Sequence, residues 1–192
     1  MAKLESSMSN MVICLSLVTL IASALLCGTY AITKEPIEKT IKNDKATAIK
    51  NVLPDKKAEL GEAKEIELEG YKDAFIIYPA TINGELVGAA VETYDNNGYG
   101  GKIKVMVGLA KDGTVSDYSI LETAETPGLG LKAEEWFRTK GDIRGKNPAT
   151  TKFVVNKDGG DIDAITASTI TSRAFLSAVQ KAYESFMKYQ NK

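Results

Sequence analysis

Ala74-Phe75-Ile76-Ile77-Tyr78, then Asn83-Gly84, then Leu86 to Thr93 is the stretch from which the fold is read. β-branched and aromatic residues crowd the flanks, and Asn-Gly is a strong signal for a two-residue hairpin turn. The pattern returns downstream, where Ile103 to Ala110 and Val115 to Leu121 flank Lys111-Asp112-Gly113. Consecutive hairpins make an antiparallel sheet, since parallel strands need long crossovers. Asp95 to Gly101, between the hairpins, reads as a flexible glycine-rich connection whose backbone can approach a flat ligand.

Helical periodicity brackets this β-rich middle. Ala174, Phe175, Ala178, Val179, Ala182, Phe186 and Tyr189 fall on one broad face of a final helix running from Arg173 to Tyr189. Lys132 to Arg138 predicts a short helix carrying a core pair, Trp136 and Phe137, and Phe153 to Asn156 predicts a short strand before Asp158-Gly159-Gly160. On the N-terminal side, Ile37, Ile41, Ala48, Ile49 and Val52 give an amphipathic helix over Glu35 to Val52, with Pro36 in its first turn and Pro54 closing it. Its apolar stripe packs on the domain or meets a partner subunit.

Residues Met11 to Thr33 carry no charge, and about 20 apolar residues suffice to span a bilayer as a helix. A retained membrane anchor is preferred over a cleaved signal peptide, because Lys3 is offset by Glu5 and the apolar run is long. Bulky Leu26 before Cys27 argues against a lipoprotein. Lys3 on one side faces Lys34 and Lys39 on the other, so charge does not orient the span. The expected class is α+β: a twisted antiparallel sheet flanked by helices, preceded by a single N-terminal transmembrane helix. The expected divisions are an anchor over residues 1–33, a linker with the amphipathic helix over 34–73, and a ligand-binding domain over 74–192.

Composition narrows the chemistry. The 24 basic and 25 acidic residues are nearly balanced, which argues against a nucleic-acid binder. With no histidine at all, Ser-His and Cys-His pairs and histidine metal sites are excluded. The cysteines, Cys14 and Cys27, lie in the apolar run and would be separated by about 20 Å along a helix, too far for one disulfide or one metal. No catalytic residue and no metal site is assigned. Any redox chemistry must come from an organic cofactor.

Directly before the final helix stands Asp163-Ala164-Ile165-Thr166-Ala167-Ser168-Thr169-Ile170-Thr171-Ser172. A helix N-terminus leaves backbone N–H groups unpaired and carries partial positive charge, so it suits a phosphate, and hydroxyls add donors. An ordinary Ser/Thr cap is the plainer alternative. The order Asp-Ala-x-Thr-Ala-Ser-Thr closely resembles the flavinylation signature Asp-(Gly/Ala)-x-(Ser/Thr)-(Gly/Ala)-(Ala/Ser)-Thr. Together with Tyr99-Gly100-Gly101, Val105-Met106-Val107-Gly108, Glu125-Thr126-Pro127-Gly128-Leu129-Gly130 and the single span, the chain resembles the G subunit of Rnf-type ion-translocating electron-transport complexes. The C subunit of the sodium-translocating NADH:quinone reductase is a close relative. The commonest signature has Gly where this chain has Ala167, a substitution that is comfortable only at negative φ.

The resemblance implies covalent FMN, joined through its phosphate to the Thr169 hydroxyl by a separate flavin transferase that uses FAD and magnesium. Thr166, Ser168 and Thr171 are then hydroxyl neighbours of the phosphate, although Thr171 could equally cap the helix. Asp163 is either a turn residue or a recognition point for the transferase. Glu125, Thr126, Pro127, Gly128, Leu129 and Gly130 form the loop that meets the isoalloxazine, and Tyr99 is a further contact. The resemblance further implies other subunits of a membrane electron-transport complex as partners, electron relay from ferredoxin to NAD coupled to sodium or proton movement, and a single-pass protein of the bacterial inner membrane with its FMN domain on the extracytoplasmic side. The quinone-reductase subunit and a membrane-tethered assembly module without working flavin remain the alternatives. Chain length favours the Rnf-type protein.

Overall fold

The computed structural model describes residues 7–68, 71 and 74–191. The first six residues of the expected anchor, 69–70 and 72–73 at the end of the expected linker, and Lys192 lie outside the described residues. The chain divides into two compact units, Met1–Asp44 and Lys45–Lys192.

Helix α1 runs over Met8–Val52. Among the described residues it is the one helix long and apolar enough to cross a membrane. Pro36 was expected in the first turn of a separate helix but lies inside α1. A proline there removes one i→i−4 hydrogen bond, and the helix runs on through that gap. Ile37 and Ile41 are exposed, whereas Ala48, Ile49 and Val52 of the same stripe are buried in the second unit.

The second unit is built on an antiparallel sheet. Its strands are β1 (Glu59–Leu60), β2 (Lys64–Ile66), β3 (Phe75–Ile82), β4 (Glu85–Gly98), β5 (Gly101–Ala110) and β6 (Val115–Thr123). The order is β1-β3-β4-β5-β6, with β2 also paired to β3. Asn83 and Gly84 both take positive φ, 52° and 82°, as the tight β3–β4 hairpin demands. Register shifts at Ala80/Thr81, Lys104/Val105 and Gly108/Leu109 mark irregularities of the kind that add twist. The segment expected to be a flexible connection is in fact strand and tight turn. β4 continues to Gly98, which pairs with Gly101 across Tyr99 and Gly100.

Period-two alternation gives each face its own core. Val105, Val107 and Leu109 face α3 (Thr169–Gln190), whose Phe175, Ala178, Val179, Ala182 and Phe186 complete the larger cluster. Met106, between them in sequence, belongs to the opposite cluster with Ala80, Ala90, Ala48, Ile49 and Val52. Each face also buries a carboxylate of β4. Glu92 lies 2.5 Å from Lys45 and 2.6 Å from Lys104, while Asp95 lies 2.6 Å from Lys181 of α3.

A 3-10 turn (Gly130–Lys132) and α2 (Ala133–Trp136) follow the sheet. Phe137 is buried and stacks on Phe175 at 4.4 Å, whereas Trp136 is half-buried and donates its indole N–H to the Asp163 carbonyl. The strand expected over 153–156 is not formed. Val155 makes only an isolated parallel bridge to Ile162, and Asn156–Asp158 turns into a 3-10 helix ending at Gly159 with φ 77°. Two glycines so close together favour a turn over strand extension.

Candidate functional site

α3 begins at Thr169, within the hydroxyl-rich stretch. Its first α-helical bond of the i→i−4 type runs from the Ser172 N–H to the Ser168 carbonyl at 3.0 Å. The N–H groups of Thr169, Ile170 and Thr171 precede that bond and are the orphan donors of a helix start. Ser168 occupies the N-cap position, yet its side chain makes no capping bond. Ser172 holds the turn instead: its hydroxyl accepts the Ile165 N–H at 2.9 Å and donates to the Ser168 carbonyl at 2.9 Å. Nothing in the sequence pattern distinguished Ser172 from its neighbours, because the bond depends on the turn at 165–168.

That turn needs a left-handed residue, and Ala167 supplies it with φ 62°. The negative φ that would make Ala comfortable there is absent. A Cβ in this region costs about 1–2 kcal/mol, which accounts physically for glycine in the commonest form of the motif.

The start of α3 forms one wall of a cavity of about 520 Å³. Its lining is Tyr99, Glu125, Thr126, Leu129, Gly130 and the run Ala167 to Thr171. Eight of the residues singled out from sequence therefore meet here: Tyr99, Glu125, Thr126, Leu129, Gly130, Ser168, Thr169 and Thr171. Three do not line it. Thr166 is exposed just outside, Pro127 is exposed on the loop, and Gly128 lines a separate open hollow of about 500 Å³ with Leu131, Glu134 and Arg138. Ala167 and Ile170 line the cavity without having been expected to.

Glu125 joins the walls. Its Oε1 accepts the Gly100 N–H at 3.1 Å and its Oε2 accepts the Thr171 hydroxyl at 2.8 Å. A Cβ at Gly130 would lie 2.4 Å from Oε2, and one at Gly98 would lie 2.7 Å from Oε1, so the carboxylate fits only because both residues lack one. The loop beyond it is closed by the Thr126 carbonyl, which accepts the Leu129 and Leu131 N–H groups at 3.2 and 3.3 Å. Leu129, Tyr99 and Ile170 leave large apolar surfaces exposed at the cavity.

The volume falls in the range of small-molecule and cofactor sites. The donor set fits FMN: orphan N–H groups, hydroxyls and a helix N-terminus for a phosphate, with flat apolar surface from Tyr99, Leu129 and Ile170 for a ring. Thr169 is half-buried and lines the cavity at the helix start.

Residues 98–184 match the FMN-binding domain family, a span that contains every residue of this cavity. Along its length the chain is similar to the G subunit of the ion-translocating oxidoreductase complex. It is 34% identical to that protein of Aliivibrio fischeri, covering 96% of this chain and 93% of the relative. For Shewanella piezotolerans the identity is 31% over 98% and 94% of the two chains. For Vibrio cholerae it is 32% over 88% and 86%. With near-complete coverage of both chains at these identities, the protein belongs to the family of G subunits of ion-translocating oxidoreductase complexes.

Proposed function

We propose that this protein is a membrane-anchored electron carrier whose FMN is bonded through its phosphate to Thr169. The observation that carries this reading is the shared cavity. A helix start rich in hydroxyls and orphan N–H groups opens into the same space as the apolar residues Tyr99, Leu129 and Ile170. A phosphodiester keeps one negative charge, which the N-terminus of α3 favours. When bound, FMN supplies the one- and two-electron chemistry, and the protein sets its position and electronics.

Attachment is a phosphoryl transfer in which the Thr169 oxygen bonds to the FMN phosphorus of FAD. The pyrophosphate P–O bond breaks, AMP leaves and the hydroxyl proton is lost, with the flavin transferase providing catalysis and magnesium. Thr169 is thus an acceptor and not a nucleophilic catalyst of turnover. The Ser168 hydroxyl and the N–H groups of Thr169, Ile170 and Thr171 would hold the phosphate, while the Thr171 hydroxyl, whose proton goes to Glu125, braces the helix start. Leu129 and Tyr99 would cover the ring, and the Thr126 region would supply polar contacts. Thr166 stands at the outer edge, where it can meet the transferase.

On this reading α1 tethers the domain to the bacterial inner membrane, with the FMN domain on the extracytoplasmic side. A covalent bond there prevents loss of the cofactor. The domain relays electrons between other subunits of an Rnf-type complex that links ferredoxin and NAD to sodium or proton movement. The test is electrophoresis under denaturing conditions of the full chain co-expressed with the transferase. A yellow fluorescent band at the protein's position is expected, and a colourless band from transferase-containing cells would overturn covalent attachment.

A further inference from the structure

We propose that Glu125 is a positioning residue that fixes the start of α3 against the cavity's other walls, and that its carboxylate is a fixed negative charge that lowers the reduction potential of the flavin. The inference rests on the reading of this cavity as the FMN site. Glu125 is 6% exposed, and its two oxygens accept hydrogen bonds from the turn at Gly100 and from Thr171 of α3. One side chain thus ties three segments that are far apart in sequence. Thr171 lies two residues after Thr169 on the first turn of α3, so its bond to Glu125 also fixes where the Thr169 hydroxyl stands.

Glu125 differs from the other buried carboxylates in having no ammonium beside it among the described residues. The other buried carboxylates described, Glu92 and Asp95, each touch an ammonium group. Among the described residues no Lys or Arg lies within ion-pair distance of Glu125. Both of its oxygens accept and neither donates, the pattern of a carboxylate. Two accepted hydrogen bonds and the partial positive end of α3 offset the cost of burying this charge without a counter-ion. Such a departure from ordinary burial rules is expected at functional sites. Negative charge in a water-poor wall acts strongly at short range and opposes the addition of an electron to a nearby ring.

The two roles separate by substitution in the full chain co-expressed with the flavin transferase. Glu125→Gln removes the charge and keeps the geometry, because the amide oxygen accepts the Gly100 N–H and the amide nitrogen donates to the Thr171 hydroxyl. Thr171→Val keeps the charge and removes the tie. Flavin loading is read by intact mass, the midpoint potential by spectroelectrochemical titration, and the melting temperature on unmodified protein. Glu125→Gln should load like the wild type with its potential shifted positive and its melting temperature unchanged. Thr171→Val should load severalfold less and melt lower, with an unshifted potential in the loaded fraction; Glu125→Ala should combine both defects.

A loaded Glu125→Gln protein at the wild-type potential would overturn the charge role. A folded Glu125→Gln protein that carries no flavin would overturn the positioning role, since the preserved bonds require normal loading. Normal loading and melting of both Thr171→Val and Glu125→Ala would overturn the positioning role. Wild-type protein that itself carries no flavin at Thr169 would instead remove the reading on which the inference stands.

Discussion

The centre of β4 and the wall of the cavity both bury carboxylates, and they do so in opposite ways. Glu92 sits between Lys45 and Lys104, and Asp95 sits against Lys181, with Ser177 and the Asn97 N–H completing its shell. Burial pushes both carboxyls up. The ammonium groups, joined at Asp95 by the Ser177 hydroxyl and the Asn97 N–H, more than offset it and lower both. Among the described residues Glu125 is bonded only to a backbone N–H and a hydroxyl. The β4 carboxylates clamp the C-terminal end of α1 and the body of α3 to the two faces of the sheet, whereas Glu125 lines the cavity with no ammonium beside it among the described residues, which is the basis of the functional use of its charge proposed above.

The contrast breaks most visibly at Asp95. Asp95→Ala strands the Lys181 ammonium, whose side chain is 8% exposed, and breaking a buried pair this way costs about 3–5 kcal/mol. Urea denaturation of the full chain in detergent should show stability falling by that amount with little change in slope. Acid gives the second largest effect. With the folded pKa values of Glu92 and Asp95 lowered, their stabilising contribution is complete above the unfolded values of about 4 and is lost as pH falls through the folded ones. Stability measured across that window should drop in the wild type and drop less in Asp95→Asn.

At Glu125 the expected loss is small. Glu125→Gln should change stability by less than about 1 kcal/mol, because no cation is stranded and both hydrogen bonds survive. A loss as large as that of Asp95→Ala would erase the contrast. The smallest effect has the opposite sign: Ala167→Gly relieves the left-handed strain at φ 62° but loosens the unfolded chain, for a net gain of about 0.5 kcal/mol. Thermal melts of the two proteins side by side resolve it.

The sequence carried the strands of the sheet because Asn83-Gly84 and Asp112-Gly113 are local signals, with turn geometry dictated by the residues themselves. It carried the body of α3 through its apolar periodicity but not its start, which lies at Thr169 and not at the expected Arg173, because hydroxyl residues favour caps and hide the first helical turn. β1 and β2 escaped notice because two- and three-residue strands have no periodicity and exist only through pairing with β3. The strand expected over 153–156 failed because its apolar run lacked a neighbour to pair with beyond one bridge. At the cavity, the motif residues were legible as types in order. Which of them line the space depends on the loop's path, which turns Gly128 away, and on the first turn of α3, which brings Ile170 in. The Glu125–Thr171 and Asp95–Lys181 contacts span 46 and 86 residues and belong wholly to the tertiary fold.

The most direct test of the account is intact mass and peptide mapping of full-length protein made with the flavin transferase, wild type beside Thr169→Ala. One FMN phosphoryl increment is expected on the peptide containing Thr169 in the wild type, and none in the variant. An increment that persists in a folded Thr169→Ala protein, or that maps to another peptide in the wild type, would contradict it.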